Sequence, residues 1–299
     1  MNAGGYRSGF VALVGRPNVG KSTLMNALVG DKVAIVTARP QTTRNRIHGI
    51  FTDERRQIVF VDTPGIHKPR TRLGIYMVEV AQRALGEVDA VLYVVDGGAP
   101  LGATDRRLAA NLKGLKTPVL LAVNKVDLLS REQTVLALDR YAALGDFAEV
   151  VPVSALAGTN LDTLLEVLTR YLPAGPQFYP PDMVTDQPER FAVAELIREQ
   201  VLSLTREEVP HAVAVEVEEM AEREAKNIVY IRANIFVEKE SQKRILIGKN
   251  GSMLKAVGQG ARASIEALLG VHVFLDLWVK VKEDWRDTES TLRRLGYQA

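Results

Sequence analysis

Gly15-Arg16-Pro17-Asn18-Val19-Gly20-Lys21-Ser22 is the stretch whose reading decides the fold. It follows an apolar run, Phe10-Val11-Ala12-Leu13-Val14, and leads into a segment with Leu24 and Leu28 at helical spacing. Strand, glycine-bounded loop and helix in that order are the context that Gly-x-x-x-x-Gly-Lys-Ser needs to hold phosphate. The glycines let the backbone wrap close to an anion, and the loop N–H groups with the helix N-terminus supply positive potential. Lys21 then reaches the outer phosphates of a nucleoside triphosphate, and the Ser22 hydroxyl takes one position on Mg2+. The whole loop, Gly15 through Lys21 and Ser22 to Thr23, with Arg16, Pro17, Asn18 and Val19 inside it, is expected at the nucleotide.

Which base is bound is decided further on, by Asn124-Lys125-Val126-Asp127 after the apolar run Val119-Leu120-Leu121-Ala122-Val123. A carboxylate at a strand tip accepts two hydrogen bonds from N1–H and N2–H2 of guanine. Adenine has no matching donors and leaves a buried Asp127 unpaired, so it is rejected. Asn124 is placed to tie this loop to the phosphate loop, and the stem of Lys125 to cover the base. Ser154-Ala155-Leu156, after Val150-Val151-Pro152-Val153, is expected to meet the base edge through backbone N–H groups. On the phosphate side, Asp62-Thr63-Pro64-Gly65 follows Gln57-Ile58-Val59-Phe60-Val61. Asp62 at that strand tip holds Mg2+ through water, and Gly65 brings its N–H to the γ-phosphate. Between these motifs lies Gln41-Thr42-Thr43-Arg44; one of the two threonines completes the Mg2+ shell, with Thr43 slightly favoured over Thr42.

Composition bounds the rest. The chain has 299 residues, 46% of them hydrophobic, which suits about two domains with ordinary cores. It has no cysteine, so disulfides and cysteine-based sites are excluded. The N-terminal residues lack a signal-type apolar region and no run approaches a membrane span, so a cytoplasmic protein is expected. The formal net charge of +2 means that nucleic-acid binding must come from a local basic surface. His48, His67, His211 and His272 show no ligand spacing, and no transition-metal site is expected.

Residues 1–172 alternate short apolar strands, among them Ala90-Val91-Leu92-Tyr93-Val94-Val95, with helical segments such as that carrying Leu161, Leu164, Leu165 and Leu168. This argues an α/β domain, a mainly parallel sheet with helices on both faces and the motifs at strand C-termini. Residues 173–190, with Pro173, Pro176, Pro180, Pro181 and Pro188, read as a semi-stiff linker. A helix resumes at Phe191, with Phe191, Ala194, Leu196, Ile197 and Leu202 inward.

Residues 191–285 have another rhythm. His211 to Glu219 and Asn227 to Glu238 alternate like half-buried strands, as does Val271 to Lys282. Between the second and third lie a short helix near Ser241 to Leu246, the turn Ile247-Gly248-Lys249-Asn250-Gly251, and a longer helix. Helix–strand–strand–helix–helix–strand is the α+β order of a type II KH domain, and Gly248-Lys249-Asn250-Gly251 is its signature. The two glycines admit a nucleic-acid backbone to a helix N-terminus. Lys249, Lys243 and Lys255, with Arg244 and Arg262, add charge, while Ile247 and Leu254 flank a groove for unstacked bases. Phe274 and Trp278 share one face of the last strand; cover by the segment Ser290 to Leu295 is expected, with base stacking as the alternative. Glu216, Glu218, Glu219, Glu222 and Glu224 read as a solvated edge, and residues 286–299 as a helical tail.

The ordered nucleotide motifs resemble a translation-factor-type small GTPase. "GRPNVGKSTL" at 15–24, "QTTR" at 41–44 and "DTPGIH" at 62–67 are similar to the bacterial Era family, as are "IGKNGSMLK" at 247–255 and "LDLWVKVKEDWRD" at 275–287. The resemblance covers all but the extreme termini. It implies a GTPase, GTP + H2O to GDP + phosphate, that binds single-stranded ribosomal RNA. The implied target is the 3′ end of small-subunit 16S RNA, with a role in assembly of the small ribosomal subunit. It also implies peripheral association with the inner face of the cell membrane; a monomer is expected. Ile66 stands where Ras-like proteins carry a water-orienting glutamine, and an isoleucine cannot hydrogen-bond water. Related GTPases with an asparagine at the Asn18 position use it to hold K+ beside the phosphates, so K+ joins Mg2+ among the expected ions. Lys21, Asn18, Thr43 and Gly65 are the expected catalytic set. Two other classes compete: a small-molecule phosphotransferase, against which Asp127 speaks, and an RNA-binding protein whose nucleotide domain binds GTP but barely hydrolyses it.

Overall fold

The computed structural model describes residues 5–65, 69, 71–223 and 228–297. The chain divides into two compact units. The first comprises Met1–Ala34, Thr43–Pro69 and Met77–Asp186; the second comprises Ile35–Thr42, Arg70–Tyr76 and Gln187–Ala299.

In the first unit, β1 (Arg7–Val14), β3 (Arg56–Asp62), β4 (Ala90–Asp96), β5 (Val119–Asn124) and β6 (Glu149–Pro152) pair in parallel, and β2 (Ile47–Thr52) runs antiparallel to β3, giving the order β2-β3-β1-β4-β5-β6. The central strands are apolar over 10–14, 58–61, 90–95 and 119–123, as strand segments covered on both faces must be. Val91, Tyr93 and Val95 enter a core with Leu108, Ala109 and Leu112 of α3 (Ala103–Leu112) and with Ala137 and Tyr141 of α4 (Arg131–Ala142). Leu92 and Val94, which alternate with them, are equally buried. Helix α1 (Lys21–Val29) packs on β2 and β3 and touches α5 (Leu161–Arg170), where Leu164, Leu165 and Leu168 are buried. Strand β2 is not evident in the amino-acid pattern, because His48 and Gly49 interrupt it; six antiparallel partners in β3 form it nonetheless.

The proline-rich stretch has no helix or strand from 173 to 187, and the helix expected from Phe191 already starts at Glu189; up to Asp186 the stretch is pinned to this unit. Ser8 Oγ donates to the Pro176 carbonyl at 2.6 Å, and Ile50 N donates to the Val184 carbonyl at 2.8 Å. The fully buried Gln57 donates to the Tyr179 carbonyl at 2.9 Å and accepts from Phe178 N at 2.6 Å. A buried glutamine needs such partners. The stretch is a strap along the sheet rather than a spacer.

The second unit holds α6 (Glu189–Leu204), α7 (Val209–Ala212), β7 (Ala214–Arg223), β8 (Ile228–Val237), α8 (Glu240–Ile247), α9 (Ser252–Leu269), β9 (His272–Val281) and α10 (Glu289–Arg294). Its sheet runs β7-β8-β9, with β7 antiparallel and β9 parallel to β8. Val193, Ile197 and Val201 of α6 and Val257, Ala261 and Ile265 of α9 close the core over Ile231, Ala233 and Ile235. The expected strand from His211 starts later, at Ala214. Pro210 sits in the first turn of α7, where its missing N–H costs nothing. A register shift between Val217 and Glu219 extends β7 to Arg223.

Helix α6 departs from its simple inward stripe. Phe191 and Ala194 are half-buried, whereas Arg198 and Glu199 are buried. Segment 35–42, part of this unit, brings backbone to both: Arg198 donates to the Thr42 carbonyl, and Val36 N donates to Glu199 Oε1 at 3.0 Å. Phe274 and Trp278 are 61% and 54% exposed, so the expected helical cover is absent from both. Helix α10 lies elsewhere, with Arg294 over the Phe236 ring. The acidic edge is laced with cations: Glu216 with Arg294, Glu218 with Lys280, Glu219 with Arg232; Glu224 lies outside the described residues. Among the described residues no helix is long and apolar enough to cross a membrane.

Candidate nucleotide site and nucleic-acid loop

The end of β1 turns into the phosphate loop, which closes on α1 through Gly20. Gly20 has φ +98, and a Cβ there would stand 2.4 Å from Asn124 Nδ2, so both its backbone and its neighbour demand glycine. Lys21 is the first residue of α1 and is 7% exposed. Its Nζ donates to the Arg16 carbonyl at 3.1 Å and to the Gly15 carbonyl at 3.3 Å. Burial pulls the Lys21 ammonium below its ordinary pKa, and the nearby Asp62 carboxylate works against that. An ammonium held this way gains from any phosphate placed before it.

Ser22, Thr43 and Asp62 come together. Ser22 Oγ donates to Asp62 Oδ2 at 2.5 Å, Thr43 Oγ1 donates to the same oxygen at 3.1 Å, and the two hydroxyls are 2.9 Å apart. Asp62 ends β3 and is fully buried; its Oδ1 has no hydrogen-bond partner among the described residues. Burial raises the Asp62 pKa, opposed by Lys21 and by both hydroxyls. Two hydroxyls converge on one oxygen of a buried carboxylate whose other oxygen lacks a partner among the described residues, and such a set of hard oxygen donors suits a hard divalent cation. Thr42 is not in this cluster: its hydroxyl bonds Thr37 Oγ1 and the Arg39 carbonyl, each at 2.7 Å. Thr63 Oγ1 donates to the Leu13 carbonyl at 2.8 Å, fixing the turn that leads through Pro64 to Gly65. Ile66 and His67 lie outside the described residues.

Asn124 joins the base loops to the phosphate loop. Its Nδ2 donates to the Val19 carbonyl at 2.9 Å, and its Oδ1 accepts from Ala155 N at 3.0 Å. Lys125, at φ +66, carries Val126 and Asp127 into a single 3-10 turn. Its Nζ reaches the Asn18 carbonyl at 2.9 Å and Asp96 Oδ2 at 2.7 Å. Asp96 ends β4, and its local signal is an aspartate at a strand tip before Gly97-Gly98; its part in the site comes from Lys125. Asp127 is exposed, not buried as expected; Ser154 Oγ donates to its Oδ1 at 2.5 Å and in turn accepts from Ala157 N at 3.0 Å. Leu156 is 84% exposed beside them in sequence.

In the second unit, Gln242 caps α8 by accepting from Glu238 N and Lys239 N at 2.9 and 3.1 Å. The chain leaves that helix at Gly248 and re-enters at Gly251, both at positive φ, with Asn250 at φ +53 between them. A Cβ on Gly251 would meet nothing within 4 Å, so the loop stands open before the N-terminus of α9. Lys249, Asn250 and Lys255 are exposed and Lys243 is half-buried, while Ile247 and Leu254 pack against the core.

Two family models match the chain: a 50S ribosome-binding GTPase model over residues 10–125 and a KH domain model over residues 208–286. The GTPase Era of Alkaliphilus oremlandii is 52% identical over 292 residues, which span 98% of this chain and 99% of that protein. That of Caldanaerobacter subterraneus subsp. tengcongensis is 54% identical over 292 residues, 98% of each chain. Among solved structures, a variant of Aquifex aeolicus Era bound to GDP·AlF4− superposes with a TM-score of 0.94 at 41% identity, covering 98% of this chain and 100% of that one. Era in complex with MgGDPNP and nucleotides 1506–1542 of 16S ribosomal RNA gives 0.95 at 41% identity, with the same coverage. The site geometry, the order of domains and full-length identity above one half agree: the chain belongs to the Era family of GTPases.

Proposed function

We propose that this GTPase binds the 3′ end of small-subunit 16S ribosomal RNA through the loop Gly248–Gly251 and acts in assembly of that subunit, with GTP and GDP setting its affinity for RNA. A target there puts its work in the cytoplasm. Residues 1–172 form the nucleotide domain and 191–285 the RNA-binding domain in this reading, with 173–190 between them. The observation that carries it is the pairing of two built sites in one chain: a buried oxygen cluster at Ser22, Thr43 and Asp62, and an open two-glycine loop between α8 and α9.

Each residue's role follows from its chemistry. The N–H groups of the phosphate loop and the Lys21 ammonium bind the phosphates and hold negative charge as it develops. Ser22, Thr43 and Asp62 would hold Mg2+, which when bound neutralises charge on the phosphate oxygens. Asp62 serves in its ionised form; its raised pKa makes it a weaker ligand in acid. Asn18, whose backbone is at φ +65, would hold K+ beside the phosphates. Asp127 accepts the guanine donors, oriented by Ser154, and the base itself supplies the burial that makes discrimination steep.

At the other site, Lys243, Lys249 and Lys255 neutralise phosphate, and Ile247 and Leu254 border unstacked bases. Cross-linking the full chain to cellular RNA, with and without a non-hydrolysable GTP analogue, and sequencing the bound fragments tests the proposal. Reads should concentrate at the 3′ end of 16S RNA and change in yield with the analogue. Reads spread evenly over cellular RNA would refute the target.

A further inference from the structure

The phosphate loop is tied to its own unit at a place that neither the motifs nor the family description assigns. Arg16 Nε lies 2.9 Å from Asp105 Oδ1. Asp105 is the third residue of α3 and its side chain is 1% exposed, whereas that of Arg16 is 24% exposed. Asp105 Oδ2 accepts from Gly102 N at 2.9 Å, so one carboxylate oxygen caps its helix and the other faces the loop arginine. Both atoms are buried and neither makes a well-aligned hydrogen bond among the described residues, so what each has is the charge of the other. The carbonyl of the same Arg16 accepts from Lys21 Nζ. Around the pair, Tyr93 donates its hydroxyl to the Asp105 carbonyl at 3.3 Å and stays neutral, its pKa raised by burial and by Asp105.

A helix cap needs an acceptor but not a charge, and an asparagine serves as well. A fully buried carboxylate is retained at a cost unless a cation answers it. Among the described residues Arg16 is the cation paired with Asp105. Together with Asn124 on Val19 and Lys125 on Asn18, this gives the loop one tie at its beginning and two at its middle.

We propose that Asp105 is a positioning residue for nucleotide binding, acting through Arg16 to hold the phosphate loop open and Lys21 aligned before the nucleotide arrives. The proposal rests on the phosphate-loop reading of Gly15–Ser22. A tie of this kind lowers the ordering cost of binding and acts alike on GDP, GTP and the transition state. Its loss therefore raises KM and leaves kcat.

The test uses the full chain and the variants R16Q, D105N and R16Q/D105N, with K21A as reference. D105N keeps the acceptor for Gly102 N–H and removes only the charge; R16Q changes a side chain that is partly exposed and leaves the helix intact. Fluorescent GDP affinity and steady-state GTP turnover are measured. Each single variant should bind GDP about tenfold more weakly, with KM for GTP raised alike and kcat within about twofold. The double variant should be no weaker than the weaker single, because the two residues act as one unit. Parent-like affinity in a folded R16Q, or losses that multiply to about a hundredfold in the double, would overturn the tie while a crippled K21A leaves the phosphate-loop reading standing. Parent-like GDP affinity in K21A would overturn that reading, and the proposal with it.

Discussion

Replacing Asp127 by asparagine should move the preferred base from guanine to xanthine. Asp127 is exposed and lies in a 3-10 turn, so stability should change by no more than about 0.5 kcal/mol. Ser154 decides how the introduced amide is oriented. Its Oγ accepts from Ala157 N at 3.0 Å, which directs the hydroxyl proton toward the Asp127 Oδ1 it touches at 2.5 Å. An amide at 127 therefore keeps its oxygen on Ser154 and turns its NH2 toward the base. There it meets the N1–H and N2–H2 donors of guanine, donor against donor, whereas xanthine offers a carbonyl. Loss of the charge-assisted pair weakens GTP by about 2 to 4 kcal/mol, about thirtyfold to several hundredfold in affinity. Competition of GTP and xanthosine triphosphate against fluorescent GDP, in parent and variant, measures both halves. A variant that binds GTP like the parent and gains nothing for xanthosine triphosphate refutes the assignment of Asp127 and of Ser154 as its orienter.

Three further outcomes are expected. Hydrolysis in K+ should exceed that in Na+ at matched ionic strength, with Asn18→Ala removing most of the difference, since a fixed cation stabilises developing charge; equal single-turnover rates in both salts would exclude the ion. Gly251→Asp should abolish RNA binding with GTP turnover unchanged, because a Cβ there meets nothing within 4 Å, aspartate is among the residues that adopt the positive φ of +78, and its carboxylate repels the approaching strand; retained affinity in a filter-binding titration would remove this loop from the RNA site. The Asp62 pKa is raised in the folded chain, so the folded state binds more protons than the unfolded one between the ordinary carboxylate value and that raised value. Stability of the nucleotide-free protein from this group is thus present at acid pH and lost as pH rises through the folded pKa. Thermal melts in chelator should show that loss in the parent and a flatter profile in Asp62→Asn, and parallel profiles would contradict it.

Motifs whose chemistry is local were legible in the chain. Lys21, Asn124 and the Gly248–Gly251 loop are found at the turns their neighbours dictate, because strand–loop–helix and helix–loop–helix contexts are written within a few residues. Partners supplied by distant elements were not. Asp105 is one aspartate among many until α3 brings it to Arg16, and Asp96 acquires meaning only beside Lys125. Gln57 looks like a solvent-facing strand residue and is buried because the proline-rich strap bonds it. Arg198 and Glu199 break the apolar stripe of α6 because segment 35–42 offers them a carbonyl and an N–H. Two adjacent threonines are equivalent on paper, and only tertiary placement sets the Thr43 hydroxyl beside Ser22 and that of Thr42 beside Thr37.

The central claim is that the nucleotide state governs RNA affinity, and the most direct measurement is that affinity itself. The full chain is titrated against an RNA carrying the 3′ end of 16S ribosomal RNA, with GDP, with a non-hydrolysable GTP analogue and without nucleotide. Coupling of about 1 to 3 kcal/mol, a fivefold or greater difference between the GDP and analogue states, is expected. Lys21→Ala should erase the difference and leave RNA bound. Three affinities that agree within about 0.3 kcal/mol, well below the usual range of coupling, would show two domains that are merely tethered and would contradict the account.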